Sequence, residues 1–407
     1  MPEAPFPAPR ATSHLAVLGG VPAFDIPLQT GRPNILDPDA VVSSVRGVME
    51  RHWLTNDGPL VQELEARFAA FQGVTHAVAV ANATLGLQLA ARAVGISGEV
   101  IMPSFTFVGT AHAMAWIGLR PVFCDVSADT HTLDASRVAA AITRETGAIL
   151  GVHLWGRPCD IDGLGRVADA HGVPLLFDAA HATGSVSHGV PLGGFGRAEV
   201  FSLHATKSIN GLEGGLVTTN DDALAERLRL LRNFGFVAED TVVSPGINAK
   251  MNEFSAAMAL SNLAGFDRLR AHNRAIREAY RDGLARLPGI RLCDDTAGEV
   301  RSGHYAVVEV LDSAPVRRDT LCRVLAAERV IARRYFRPGC HRCQPYAAEE
   351  PRHALPVTER LGRTLLQLPT GMQLTPADAT TIAGLVAHAW AEAPLVEAAA
   401  GSPTDAS

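Results

Sequence analysis

Between about residues 76 and 218 the chain alternates two hydrophobic patterns. Short runs rich in Val, Ile, Leu and Phe on both faces predict buried strands at His76–Val80, Glu99–Met102, Pro121–Val126, Ala148–His153, Pro174–Asp178, Glu199–Leu203 and Leu216–Thr219. Amphipathic stretches around Thr84–Val94, Val108–Trp116, Ala135–Ile142 and Leu164–Ala170 predict helices between most of them. This βαβ alternation predicts one large α/β domain around a mostly parallel, seven-stranded sheet. Further on, helical patterns over Asp221–Asn233 and Asn252–Leu287 follow, the second broken near Gly265. A strand over Tyr305–Leu311, a helix over Arg318–Glu328 and a last helix over Pro376–Ala391 predict a smaller α+β domain. The expected division is a tail over 1–15, the large domain over 16–265, the small domain over 266–392 and a second tail over 393–407.

Charge and composition narrow the function classes. A net charge of -6 gives no basic surface for nucleic acid or an anionic membrane. The apolar runs fall short of the roughly 20 residues that span a bilayer. The opening MPEAPFPAPRATSH has no apolar segment of the signal-peptide kind, so the cytoplasm is the expected compartment. Six cysteines in 407 residues do not make a disulfide framework. Cys340 and Cys343 form a CxxC, but no second pair stands at structural-zinc spacing. His153, His204 and His341 fit no local metal motif, and no metal is expected. No G-x-G-x-x-G follows the early strands, which argues against a nicotinamide enzyme.

The lysine census changes the picture more. Of 36 Lys and Arg residues, only Lys207 and Lys250 are lysines. Arginine carries surface charge but stays protonated, so it cannot condense with an aldehyde. Lys207 follows a strand end in VFSLHATKSINGLEGG, and Asp178 ends the apolar strand before it in LLFDAAHATG. A carboxylate at the end of a buried strand needs a cationic partner, and a protonated pyridine nitrogen is one. Together, Asp178 and Lys207 form the pair a pyridoxal-phosphate (PLP) enzyme needs: a ring-nitrogen carboxylate and an amine for the aldehyde. Taken singly, Asp178 reads as a helix cap and Lys207 as an idle surface lysine.

Three further segments fit the same reading. Asn82, Ala83 and Thr84 open a helix after a strand, where free N–H groups and a hydroxyl seat a phosphate; a simple cap uses the same geometry. Ser202 ends a strand and offers that phosphate another hydroxyl, and His181 lies within reach of the ring or its 3-oxygen. Phe107 follows the second strand, where an aromatic stacks on a flat cofactor or simply joins the core.

These motifs carry a resemblance. The chain resembles the DegT/DnrJ/EryC1/StrS sugar aminotransferases, a branch of fold-type I PLP enzymes, over about residues 16–390. The carrying runs are WLTNDGP, CDVSADTHTLD, VHLWGRP, FDAAHATG, FSLHATKSINGLEGG, GINAKMNEFSAAM, YFRPGCH and TERLGRTLLQLPTG. The resemblance implies that Lys207 holds the cofactor aldehyde, Asp178 the pyridine nitrogen, Phe107 the ring face, and Ala83, Thr84 and Ser202 the phosphate. It also implies that Asn248 reaches the phosphate across a homodimer interface. The usual Ser-Gly-Thr of the phosphate loop is Asn82-Ala83-Thr84 here, the usual Gln is His181, and Lys250 replaces a frequent Arg. Because Lys207 is present, the dehydratase branch, which has His there, does not apply.

The runs EVIMPSFTF, GVHLWGRPCD, FDAAHA and YFRPGCH are most like those of 4-aminotransferases in deoxysugar pathways. The implied reaction moves the amino group of L-glutamate, through PLP and its amine form PMP, to C4 of a dTDP-4-keto-6-deoxyhexose. Trp53, Asn56, Tyr335 and Phe336 are the residues expected to line the sugar pocket. Amination at C3, or of a keto-inositol, is the rival within the family. A PLP-bound sensor and a non-catalytic scaffold are the rivals outside it.

Overall fold

The computed structural model describes residues 14–293, 299–349 and 351–399. Its central sheet has seven strands: β1 His76–Val80, β2 Glu99–Pro103, β3 Arg120–Cys124, β4 Thr146–Val152, β5 Leu175–Asp178, β6 Glu199–Ser202 and β7 Gly215–Thr219. Their order is β1-β7-β6-β5-β4-β2-β3. Only β7 runs antiparallel to both its neighbours; the other pairings are parallel. All seven predicted strands are present, within two residues at most ends.

The period-2 alternation feeds two cores. Val78 and Val80 of β1 pack into one cluster, and Ala77 and Ala79 into another on the opposite face. Helices α1 Pro38–Arg51, α2 Pro59–Gln72, α3 Ala83–Val94, α4 Val108–Trp116, α5 Ala135–Ala141, α6 Ile161–His171, α7 Asp222–Arg232 and α8 Glu253–Ala264 belong to this half of the chain. The long helical pattern ends α8 at Gly265 and restarts as α9 Phe266–Leu284. A Cβ at Gly265 would sit 2.7 Å from Leu36 Cδ1, so the N-terminal segment packs tightly against the break.

The second layer is a three-stranded antiparallel sheet of β8 Ile290–Leu292, β9 Ala306–Val310 and β10 Leu365–Leu368, with β9 central. Helices α10 Arg318–Ala327, α11 Pro356–Thr364 and α12 Pro376–Ala391 complete it with α9. Two expectations about its limits need correction. Leu15, Ala23, Phe24 and Leu28 bury themselves in this layer's core, not in the large domain. Leu28–Gln29 pairs in parallel with Val330–Ile331, and the buried Glu328 carboxylate accepts hydrogen bonds from the Ala16 and Ala23 amides at 2.6 and 2.7 Å. At the other end, Ala393–Ala399 is a helix, α13, where a tail was expected. Its residues Ala393 and Val396 stand three apart and both join the same core; burying a valine side chain is worth about 1.5–3 kcal/mol. Residues 1–13 and 400–407 of the expected tails lie outside the described residues.

Candidate active site

The parallel strands end together, and their carboxyl edge builds the site, as open α/β sheets generally do. Asp178 is the last residue of β5 and Ser202 the last of β6, with β5 and β6 adjacent. At the same edge β1 turns into α3. Asn82 caps α3, its side chain accepting from the Leu85 amide at 2.9 Å, which leaves Ala83 and Thr84 in the first turn. Gly215, the first residue of β7, lies against this turn: a Cβ there would come within 2.8 Å of the Ala83 nitrogen. The backbone approach that shapes the cradle thus requires glycine.

These groups line one cavity of about 540 Å³. Ala83, Thr84, Phe107, Asp178, His181, Ser202 and Lys207 all border it, and so do Tyr335 and Phe336. Phe107 keeps 58% of its surface exposed while it borders the cavity. Trp53, Asn56 and Asn248 do not line it within one chain. Trp53 is exposed on the loop between α1 and α2, and Asn56 borders a separate cavity of about 460 Å³ together with Lys250. Asn248 is exposed and its backbone bridges to Asn233.

Asp178 is held by two donors. The Thr110 hydroxyl donates to Oδ2 at 2.7 Å, and the Ala180 amide donates to Oδ1 at 3.0 Å. No helix starts after Asp178; the chain enters turns, so the helix-cap reading has no helix to cap. Burial raises its carboxyl pKa, while the Thr110 hydroxyl, the Ala180 amide, Lys207 and His153 pull it back. A carboxylate so placed gains from any cation brought to it. His181 is kept neutral by burial. The Trp155 amide donates to its Nδ1 at 3.4 Å, which leaves Nε2 as the protonated ring nitrogen.

Lys207 is lowered to about 8 by desolvation, with Asp178 opposing the shift. Its Nζ donates to the Tyr305 hydroxyl at 3.3 Å. A neutral amine is what attacks an aldehyde, so this depression prepares Lys207 for capture. Uptake of PLP by the cofactor-free protein should therefore accelerate as pH rises, with a midpoint near 8. Stopped-flow recombination between pH 7 and 9.5 measures this; a midpoint near the ordinary lysine value would contradict the burial of Nζ.

Sequence reasoning missed the wall facing the sheet edge. Gln29, Thr30, Gly31, His304, Tyr305, Arg333 and Gln367 all border the cavity from the second layer. Arg333 is placed there by a two-way backbone pairing with Gln367, at 3.0 and 2.8 Å. The only available signal was that Tyr305 opens a strand pattern, which says nothing of what it faces. His153 and His341 point elsewhere. His153 Nε2 lies 3.2 Å from Glu199 in full burial, and His341 Nδ1 lies 2.7 Å from Ser104 Oγ. Among the described residues no group of three or more His, Cys, Asp or Glu is placed to hold a metal ion, and all six cysteines are free.

The profile of the DegT/DnrJ/EryC1/StrS aminotransferase family matches residues 38–387. The chain belongs to that family. It is 36% identical over 293 residues to an Escherichia coli dTDP-4-amino-4,6-dideoxy-D-glucose transaminase, covering 72% of this chain and 79% of that one. Among solved structures it is similar to DesI, crystallised in the presence of its TDP-sugar product, at 48% identity and a TM-score of 0.89, covering 93% of this chain and 96% of that one. It is also similar to DesV from S. venezuelae, in complex with a ketimine intermediate, at 33% identity and a TM-score of 0.82 over 88% and 98%.

The family member is an aminotransferase, and its cofactor is pyridoxal phosphate. The residues present fit that group. The first turn of α3 with Thr84 and Ser202 offers a phosphate seat, Phe107 a stacking face, Asp178 an unneutralised buried carboxylate and Lys207 a depressed amine. Among the described residues no helix is long and apolar enough to cross a membrane.

Proposed function

We propose that the chain transfers the amino group of L-glutamate to C4 of a dTDP-linked 4-keto-6-deoxyhexose, at a site completed by a second copy of the chain. The observation that carries the reading is the single cavity that holds Lys207, Asp178 and the α3 cradle together. The sugar class rests on the similarity to DesI and to the Escherichia coli transaminase, both named for dTDP- or TDP-linked sugars. The acidic donor suits Arg333, a guanidinium on the cavity wall with no charged partner among the described residues.

Bound PLP supplies an aldehyde for amine capture and a ring that takes up the charge left on the amino acid's α-carbon. Each residue then has a defined task. Thr84, Ser202 and the first amides of α3 anchor the phosphate, and Phe107 covers one face. Asp178 keeps the ring nitrogen protonated. Lys207 would hold the aldehyde and, as a free amine, would take the donor's α-proton and return it to the carbon on the far side of the nitrogen, a general acid–base role. The keto sugar enters the second half in reverse. Its nucleotide, anchored far from the ring, holds one carbonyl in place.

A competition assay tests the regiochemistry. The 4-keto and 3-keto dTDP-hexoses are supplied together with glutamate, and the new C–N bond is located by NMR. Preference for C3 in kcat/KM would overturn the C4 reading and leave transamination standing.

The shared site is supported by one exposed face. Phe236, Val237, Val243 and Ile247 flank the loop that carries Asn248, and Trp53 with Leu54 lies on the neighbouring loop, all at least 40% exposed. Such an apolar patch suits burial against another chain. Mixing the inactive Lys207→Ala protein with an inactive Asn248→Ala protein should restore part of the activity through hybrid dimers. No rescue, with subunit exchange verified by mass spectrometry, would remove Asn248 from the partner's site.

A further inference from the structure

Lys207 has one hydrogen-bond partner for its Nζ among the described residues, and that partner comes from the other layer. It is the hydroxyl of Tyr305, at 3.3 Å. No carboxylate stands within ion-pair distance of Nζ there, Asp178 acting only through its field. Tyr305 itself is firmly placed. Its ring lies 4.4 Å from that of His181 and 4.9 Å from that of His304, the second contact edge-to-face. Its carbonyl accepts from the buried Arg277 of α9 at 2.8 Å, immediately before β9 begins. The residue is 6% exposed.

We propose that Tyr305 is a positioning residue for Lys207, its hydroxyl holding the ε-amine over the reacting carbon in both protonation states of the proton transfer. The chemistry of a phenol suits this. Toward an ammonium the oxygen accepts; toward a neutral amine the O–H donates. The proton taken from the α-carbon stays on Lys207 until it is returned, and Tyr305 gains and loses none. Burial raises the Tyr305 hydroxyl well above its ordinary pKa, so it stays a neutral phenol in the working range. The other groups around Nζ cannot do this. His181 and His304 are kept neutral by burial, His304 near 4, and His304 Nε2 is committed to the Thr206 carbonyl at 2.8 Å. Because Tyr305 belongs to the second layer and Lys207 to the first, the contact also ties amine placement to the seating of one layer on the other. The inference rests on Lys207 being the reacting amine.

Tyr305→Phe tests it, since the ring and its contact with His181 remain. Borohydride labelling of the variant should still fall on Lys207; label elsewhere would fail the Lys207 assignment, not the role of Tyr305. With Lys207 labelled, three results are expected. The single-turnover rate with glutamate should fall on the order of 10²-fold, the loss typical of a misplaced catalytic group. The primary isotope effect from α-deuterated glutamate should rise, and the KM for glutamate should change little. In the cofactor-free protein the pH midpoint of PLP uptake should move below 8, by about half a unit to one unit, because the ammonium loses a charge-assisted hydrogen bond and the amine only a neutral one. Over that range the other facing groups hold their states: Asp178 ionised or not as in wild type, His181 and His304 neutral. A wild-type rate, isotope effect and uptake midpoint would overturn the proposal. So would a loss confined to KM, which would make Tyr305 a substrate contact. Thermal melting of Tyr305→Phe beside wild type controls for folding, and substitution by 3-fluorotyrosine, which keeps the hydroxyl, should restore most of the rate.

Discussion

Replacing Lys207 with alanine should remove steady-state transamination, a loss of at least about 10³-fold, since the two roles proposed for it, aldehyde-capturing amine and general base, are lost together. The visible band that arises from the linkage of Lys207 to the cofactor should vanish with it. The cofactor can still enter, because the α3 turn, Ser202, Phe107 and Asp178 are untouched. The protein should fold normally, since Lys207 is a desolvated amine with a single hydrogen bond and contributes little that alanine would lose. Methylamine, small enough to fill the vacated space, should recover a fraction of the single-turnover rate. Borohydride reduction of the wild-type holoenzyme should attach the cofactor to the peptide that contains Lys207. The alternative is explicit, because the chain has only one other lysine. Lys250 donates to Asn233 Oδ1 at 3.0 Å and lies 4.8 Å over the Phe234 ring, in the separate cavity with Asn56. Label on Lys250 would place the chemistry in that second cavity and dismantle the assignment of the first.

How far the site was legible follows from where its parts sit. Asp178 and Ser202 end strands, Ala83, Thr84 and Phe107 follow strand ends, and a parallel sheet gathers strand ends at one edge whatever the details of packing. Periodicity located the strands, so it located these residues. Tyr305, Arg333 and Gln367 belong to another layer and reach the cavity only because β9 and β10 pack against the first. No local pattern encodes which of their neighbours faces inward. The first helix escaped for a related reason. In α1 only Val48 is buried, so no apolar stripe marks it; the readable sign was Asp37 before Pro38, a cap whose side chain accepts from the Ala40 amide. The N-terminal segment was assigned to the large domain because it precedes that domain in sequence. Leu15, Phe24 and Leu28 show no period, and it is the Glu328 carboxylate, more than 300 residues from Ala16 and Ala23, and the pairing of Leu28 with Val330 that fix this segment to the second layer.

Asp178→Asn separates a charge from a shape. The two side chains are nearly isosteric, and the local hydrogen bonds can adapt. The Ala180 amide keeps an oxygen acceptor at Oδ1, and the Thr110 hydroxyl, which now donates to Oδ2, can turn to accept from the new amide. Its proton then has a ready acceptor in Thr106 Oγ1, 3.0 Å away. Folding and cofactor retention should therefore survive. What the amide cannot do is balance a cationic ring nitrogen. A buried carboxylate and a buried cation stabilise each other's charge; an amide leaves the nitrogen to lose its proton, and the ring then accepts little of the charge released at the α-carbon. The α-proton transfer should slow by about 10²- to 10³-fold, the size of loss seen when one preorganised electrostatic partner is removed from a transition state. The KM for glutamate should shift far less, because the role proposed for Asp178 is toward the ring nitrogen and not the donor. Rapid-mixing single turnovers with α-deuterated glutamate would resolve the two, and a large isotope effect in the variant would place the loss in the proton transfer itself. Asp178→Glu offers the converse, restoring charge at the wrong distance, and should recover only part of the rate. A near-normal single-turnover rate in Asp178→Asn would return Asp178 to a purely structural task, holding the Ala180 turn that follows β5.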